Sequence, residues 1–500
     1  MCLRNLACRQ RVHYALSMAP SRHESGAPLV AALAASLPAE VIATHISWVL
    51  LAGDHAWKIK KPVRLPFVDY GSLAARRHCC EEEVRLNRRL APSLYLGVSR
   101  ITGTEQAPCI DGAGEAIEYA VRMRRFPAGA LFSEQLAANT LAPAQIDALA
   151  TLLGNFHEHA PTAAPGSGFG SPDGRRRVAL AALEGAVAVA APDEVAHLRA
   201  WLVAQADTLA APWRERLQSG LVREGHGDLH LDNVVNLGSD VAAFDGIEFD
   251  PALRWIDVID DLAFAVMDFA ARGRRDFAFR LLNGWLDRTG DHAGIAALRF
   301  AAVYRALVRA QVEHLRGPAR AGAARGYVDA AMSWTQPPSP ALTITHGLPG
   351  SGKTFQSQRL LERTGAIRLR SDVERKRLSG LGMLDDSRAH GLDLYTADAT
   401  RRTYAQLEAR ARVLLAAGWP VILDAAFLRR DERAAARALA GELRVPFAIL
   451  DCQAPPAVLR ERLLARRGDA SEAGVAVLEQ LEAVAEPLTT EEQSLRCTAG

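Results

Sequence analysis

The chain runs to 500 residues, 49% hydrophobic and 23% charged, with a formal net charge of +2. That length suits about two to three domains with proper cores, and the charge balance gives no reason to expect nucleic acid or an anionic membrane as an obligatory partner. No apolar run reaches the ~18 residues needed to cross a bilayer. Seven scattered cysteines without a CxxC pair point to a reducing, cytoplasmic setting, not to a disulfide framework or a zinc site.

Residues 1–27 read as a disordered extension. Cys2 to Ala19 mixes Arg, His and Asn into its apolar residues and offers no h-region, so a signal peptide is not expected. A helix is predicted over 28–37, then two strands at 46–51 and 56–61 joined by a turn at Gly53 and Asp54. Basic residues are overwhelmingly Arg, and lysines stand only at 58, 60, 61, 353 and 376. An ammonium serves phosphate oxygens as a point charge, so each lysine is a candidate for a place where a guanidinium fork does not fit; the alternative for some is chance survival in a biased composition. Lys58, two residues after Ala56 on the second strand, resembles the lysine of the A-x-K strand of protein-kinase-like folds; the alternative is a surface lysine beside Trp57. Lys60 and Lys61 are expected to be solvated at the strand end. A helix over 76–90 offers Glu81, Glu82 and Glu83 as partners for Lys58. A strand over 114–123 then passes through 124–127 into a mostly helical stretch, 143–219, broken by a Pro/Gly-rich loop at 161–174. His157 reads as structural.

His226, Asp228 and Asn233 fall at the spacing H-x-D-x-x-x-x-N, in which the Asp accepts a substrate hydroxyl proton and the Asn holds Mg²⁺. A strand at 241–244 ends in Asp245, a second candidate metal ligand. Asp250, Asp257, Asp260 and Asp261 follow. Such a run is ordinarily a solvated loop, but Asp261 at the mouth of an apolar helix can act as an N-cap that anchors it. Through HGDLHLDN, FDGIEFD and the following D-L-A, residues 40–315 resemble the aminoglycoside phosphotransferase-like branch of the protein-kinase superfold. The resemblance implies an α+β bilobal domain with a small lobe to about residue 122. It also implies Asp228 as catalytic base, Asn233 and Asp245 as Mg²⁺ ligands, and Lys58 with Glu83 clamping the α/β-phosphates. One departure stands out: there is no G-x-G-x-x-G loop, only the turn at Gly53, so phosphate cover is minimal or supplied differently. Relatives of this fold phosphorylate choline-like, sugar and amino-sugar alcohols, and the resemblance does not choose among them.

Helical pattern continues over 276–315 and to Trp334. Pro337, Pro338 and Pro340 then form a stiff spacer, which sets the boundary at about residue 337, between domains 28–335 and 338–500. After a strand at 341–346, Gly347-Leu348-Pro349-Gly350-Ser351-Gly352-Lys353-Thr354 fits G-x-x-x-x-G-K-[ST]. Its backbone N–H groups would cradle phosphates, Lys353 would reach the β- and γ-phosphates, and Thr354 would ligate Mg²⁺. Strands at 367–371 and 421–424 lead to Asp372 and Asp424. Ligands of parallel sheets bind at the strands' carboxyl ends, so these two should converge beside the loop, Asp424 as a further metal ligand. Arg462, Arg466 and Arg467 read either as a solvated helix face or as a lid over the phosphates.

This half resembles the P-loop kinase family that includes polynucleotide 5′-kinases, zeta-toxin kinases and small-metabolite kinases, an α/β fold with a parallel sheet. The resemblance implies that Asp372 activates the acceptor hydroxyl and Arg375 grips the acceptor. The whole chain is similar to bacterial bifunctional proteins joining an aminoglycoside-phosphotransferase-like domain to an AAA-type ATP-binding kinase. The expectation is an ATP- and Mg²⁺-dependent phosphotransferase acting on small-molecule alcohols, with no membrane partner. The alternatives are a nucleotide-binding regulator with one silent half, and a polynucleotide 5′-kinase in the C-terminal half. The last ranks below a small-molecule kinase because no aromatic stacking platform accompanies the arginines.

Overall fold

The computed structural model describes residues 26–65, 68–466 and 468–499. All but the last two residues of the extension expected at 1–27 lie outside the described residues, and so does Arg467. The chain divides into two compact units, one taking residues up to 148 with 159–184 and 206–265, the other taking 149–158, 185–205 and 266–500.

In the first unit an antiparallel six-stranded sheet is built from β1 (Glu40–Ala43), β2 (Ser47–Ala52), β3 (His55–Lys60), β4 (Tyr95–Gly103), β5 (Pro108–Ile110) and β6 (Ala116–Arg124), in the order β1-β2-β3-β6-β4-β5. Trp48, Leu50, Ile59 and Ile101 form the core on one face with Leu29, Val30 and Leu33 of the helix Ala27–Ser36. On the other face Ala56, Val121 and Met123 pack with Cys80 and Val84 of α1 (Leu73–Asn87), which starts where the Ser72 hydroxyl accepts from Ala75 N–H. Alternation along β3 therefore turns Lys58 and Lys60 to the α1 side with Ala56. Further on, α2 (Val258–Ala271) follows a short hairpin of Val234–Asn236 with Val241–Ala243.

In the second unit five parallel strands, β7 (Leu342–His346), β8 (Ile367–Arg370), β9 (Val421–Asp424), β10 (Phe447–Asp451) and β11 (Arg496–Cys497), take the order β8-β9-β7-β10-β11. This is the doubly wound P-loop arrangement, with α4 (Lys353–Thr364) after β7, α5 (Ser371–Leu378) after β8, and α6 (Pro456–Ala465) and α7 (Val475–Val484) after β10. The packing does not divide at the proline spacer. Helix α3 (Arg275–Thr289) belongs to this unit and lies along the edge strand β8. The Asn283 side chain donates to Ala366 O at 3.0 Å and accepts from Arg368 N–H at 2.7 Å, covering groups that a bare sheet edge leaves unpaired. Phe279 of α3 sits 6.1 Å from the Trp419 ring. The limits 28–335 and 338–500 thus follow the motifs, while the core follows this edge packing. No described helix is long and apolar enough to cross a membrane.

Candidate active site

In the first unit, β3 carries Lys58 to Glu83 of α1, Nζ to Oε1 3.0 Å, and to a contact with Asp245. Burial alone would push the Lys58 ammonium down, but Asp245 and Glu83 outweigh it and its pKa is raised. Burial would likewise raise Glu83, yet Lys58 and Lys60 hold its carboxyl down at about 2. Asp245 takes a φ of 62°, a left-handed conformation that persists only where the surroundings hold it. Its N–H donates to the Tyr95 hydroxyl at 3.1 Å, and Gly246 N–H donates to Asn87 at the end of α1 at 2.8 Å.

The His226–Asn233 loop is tied down from below. The Asp261 carboxylate accepts from His226 N–H at 2.7 Å and Gly227 N–H at 2.9 Å. It anchors the loop as expected, though from inside the first turn of α2, not from an N-cap. The His226 Nε2 donates to the Phe244 carbonyl at 2.9 Å while its Nδ1 accepts from Asp228 N–H at 3.2 Å, the pattern of a neutral imidazole, and burial lowers its pKa. The Asn233 amide donates to Asp228 O at 2.9 Å and lies 3.3 Å from Asp228 Oδ2. Phe244 N–H donates to Asn233 O at 2.9 Å, so the short hairpin brings Asp228, Asn233 and Asp245 to one place.

The expectation that Lys60 and Lys61 are solvated is corrected. Lys60 is 1% exposed, with Nζ 2.7 Å from Glu83 Oε2 and 3.4 Å from the Tyr70 hydroxyl, and it contacts Glu248. Lys61 is also buried, its Nζ 5.1 Å from the Trp48 ring centre. Much of the acidic run is buried as well. Asp257 is bound by Arg216 at 2.7 Å and Arg175 at 2.9 Å, and Asp250 caps a short helix through Ala252 N–H.

In the second unit, β7 runs into the glycine loop. A Cβ on Gly347, at φ 142°, would lie 2.2 Å from Cys452 O, and one on Gly350, at φ 83°, would lie 2.8 Å from Leu459 O. Leu348 packs on Leu459, Leu463 and Leu478 of α6 and α7, fixing the loop's outer side. Lys353 Nζ donates to the carbonyls of Gly347 at 2.8 Å and Leu348 at 2.9 Å. Burial lowers its pKa against the opposing pull of Asp424 and Asp372. Thr354 stands in the first turn of α4, and from the same turn Ser357 Oγ donates to Asp424 Oδ2 at 3.1 Å.

One cavity of about 520 Å³ is lined by Lys353, Thr354, Asp372, Arg375, Asp424 and Arg462, so Asp372 and Asp424 do converge beside the loop. Pro349, Gly350 and Gly352 also face this space, as does Arg466, which lies 3.8 Å from Asp469. Arg375 is 3.4 Å from Asp372 Oδ1 and 4.8 Å from the Tyr395 ring centre. Arg462 donates to Gly350 O at 3.1 Å, seated on the loop itself.

A nucleotide phosphate fits this loop. No side chain fits at Gly347 or Gly350, the buried Ser351 hydroxyl has no partner among the described residues, and the lysine rests on two carbonyls. Mg²⁺ keeps water and phosphate oxygens and needs few protein ligands. Thr354 with Asp424, and Asn233 with Asp245, are oxygen sets of that sparse kind.

Sequence reasoning missed Lys60, Tyr70 and Glu248 in the first unit. Lys60 had a readable signal, since period two sets it on the face of Lys58. In the second unit it missed Arg370, Tyr404, Arg429 and Glu432, which line the cavity and belong to no local motif.

Comparison with known proteins covers both units. A family model described as an AAA domain matches residues 342–488. The uncharacterized protein Rv2004c of Mycobacterium tuberculosis is 31% identical over 465 residues, 89% of this chain and 89% of its own. Among solved structures, a gluconokinase from Sinorhizobium meliloti 1021 is 21% identical, with 32% of this chain and 81% of that one covered and a TM-score of 0.25. A choline/ethanolamine kinase family protein from Mesorhizobium loti is 15% identical, with 61% and 97% covered and a TM-score of 0.37. The mycobacterial alignment is too long to be confined to either unit, and the chain belongs to the family of Rv2004c, with its AAA domain at residues 342–488.

Proposed function

We propose that the chain is an ATP- and Mg²⁺-dependent phosphotransferase that moves the γ-phosphate to hydroxyl groups of small molecules, with one transfer site in each unit. The observation that carries this reading is the single cavity shared by Lys353, Thr354 and Asp424 with Asp372 and Arg375. In it the Asp372 carboxylate takes the acceptor's hydroxyl proton while the acceptor oxygen bonds to the γ-phosphorus and the bond to the ADP oxygen breaks. Lys353 and Arg462 meet charge on the phosphoryl oxygens, and Arg375 orients the acceptor. Thr354 and Asp424 would hold Mg²⁺, which supplies neutralisation of phosphate charge when bound. In the first unit Asp228 has the base's role, Asn233 and Asp245 would hold the metal, and Lys58, steadied by Glu83, orients the phosphates.

A second reading, that the first unit binds nucleotide without transferring phosphate, is favoured by its hairpin. β2 and β3 pair up to Ala52 and His55, leaving only Gly53 and Asp54 to cover phosphates. Full-length protein incubated with γ-labelled ATP and a metabolite library tests both. Lys353→Ala and Asp228→Asn should each remove a different phosphorylated product. If Asp228→Asn retains every product, the first unit is a binding module. If the wild type labels only a 5′-hydroxyl oligonucleotide, the small-molecule assignment fails.

A further inference from the structure

Helix α3 lies outside the residues matched by the AAA family model, yet its last turn holds two arginines of β8, one of which reaches the helix that follows the phosphate loop. Asp287 is buried, and its Oδ2 lies 3.3 Å from Arg368 Nη2 and 3.4 Å from Arg370 Nη1. These arginines alternate with Ile367 and Leu369 on β8 and so share one face of the sheet. Arg368 continues inward, donating to Thr354 O and to Ser357 Oγ, each at 3.3 Å. Ser357 in turn holds Asp424 at 3.1 Å. Arg370 pairs in strand register with Asp424, lines the cavity, and donates to Asp469 at 2.9 Å. Burial alone would push both guanidiniums down. Asp287 and Asp424 reverse that for Arg370, whereas the Arg368 pKa stays lowered.

We infer that Asp287 is a positioning residue of the P-loop site: through Arg368 it supports the turn carrying Thr354 and Ser357, and through Arg370 it sets the charge beside Asp424. Binding of a Mg²⁺–nucleotide then depends on a helix that precedes the proline spacer. The inference rests on the nucleotide reading of the loop and adds a residue that no motif contains.

Calorimetric titration of the full-length protein with Mg·ADP, and with ADP plus chelator, tests it. The P-loop component is the binding that Lys353→Ala removes. Asp287→Asn should weaken that component about tenfold or more for Mg·ADP and less than about threefold for metal-free ADP, because the support runs through Thr354 and Asp424. Asn283→Ala loosens the same helix by removing its bonds to Ala366 O and the Arg368 backbone N–H while leaving both guanidiniums and Asp287 in place, so it should lower the melting temperature and leave Mg·ADP affinity within about twofold. Unchanged Mg·ADP affinity in Asp287→Asn overturns the inference, and so does an equal loss in Asn283→Ala, which would make α3 a structural support only. Should Asp287→Asn fail to fold, Arg370→Gln carries the test, with the same weakening expected and unchanged affinity overturning it. Absence of any Lys353-dependent binding in the wild type would defeat the functional reading itself, an outcome distinct from the others.

Discussion

Glu83 is shared by two lysines beneath α1, 3.0 Å from Lys58 and 2.7 Å from Lys60, while Lys60 also meets Glu248. The charges lie in a buried setting, where breaking one pair strands the others. Lys60→Ala should therefore destabilise the protein by about 3–5 kcal/mol in equilibrium urea unfolding, against a few tenths for a solvated lysine. A loss under about 1 kcal/mol would return Lys60 to the surface role its position at a strand end suggests. In the second unit His292 sits buried against Arg410, and burial together with Arg410 and Arg377 lowers its pKa to about 3. The unfolded imidazole titrates near 6.5, so as pH falls from about 6.5 towards 3 the unfolded chain takes up a proton that the folded one refuses. Stability is full above that window and declines through it by up to about 1.4 kcal/mol per pH unit. The melting temperature should fall between pH 7 and about 5, and fall less steeply in His292→Gln. Glu83 acts lower, since a depressed carboxyl keeps its stabilisation above about pH 4.5 and loses it towards pH 2.

The phosphate loop shows how an element makes its residues legible. Its glycines are demanded by local contacts, and a Cβ on Gly350 would meet the Leu459 backbone at 2.8 Å. Gly350→Ala should cut Lys353-dependent nucleotide binding about tenfold or more, measured by the same titration; binding within about twofold would show that the loop yields. The His226–Asn233 loop was legible for the same reason, because the roles proposed for it follow from spacing within a few residues. The burial of Lys60 was half legible: β-period set it beside Lys58, but its partners Glu248 and Tyr70 come from elsewhere in the chain. The cover that α3 gives to β8 left no local trace, since Asn283 and Arg368 are hydrogen-bonded but far apart in sequence.

For the molecule as a whole, the proline spacer marks a change of motif without marking the edge of a core. Residues 266–335 and the parallel sheet form one compact unit. A protease site inserted after the exposed Gln336 should therefore be cleaved readily, and the two pieces should still co-elute in size-exclusion chromatography. Separate elution would show that the α3–β8 packing is too weak to hold them.

The residues proposed for both sites stand in short stretches of sequence. Phosphate and metal chemistry needs particular residues at fixed spacing on a turn, and such spacing survives without knowledge of the fold. The partners that steady those residues arose only on folding. Asp287 beneath Arg368 and Arg370, Glu248 beside Lys60, and Asn283 along β8 act across long stretches of chain. Burial and charge pairing selected them, and neither depends on sequence neighbours.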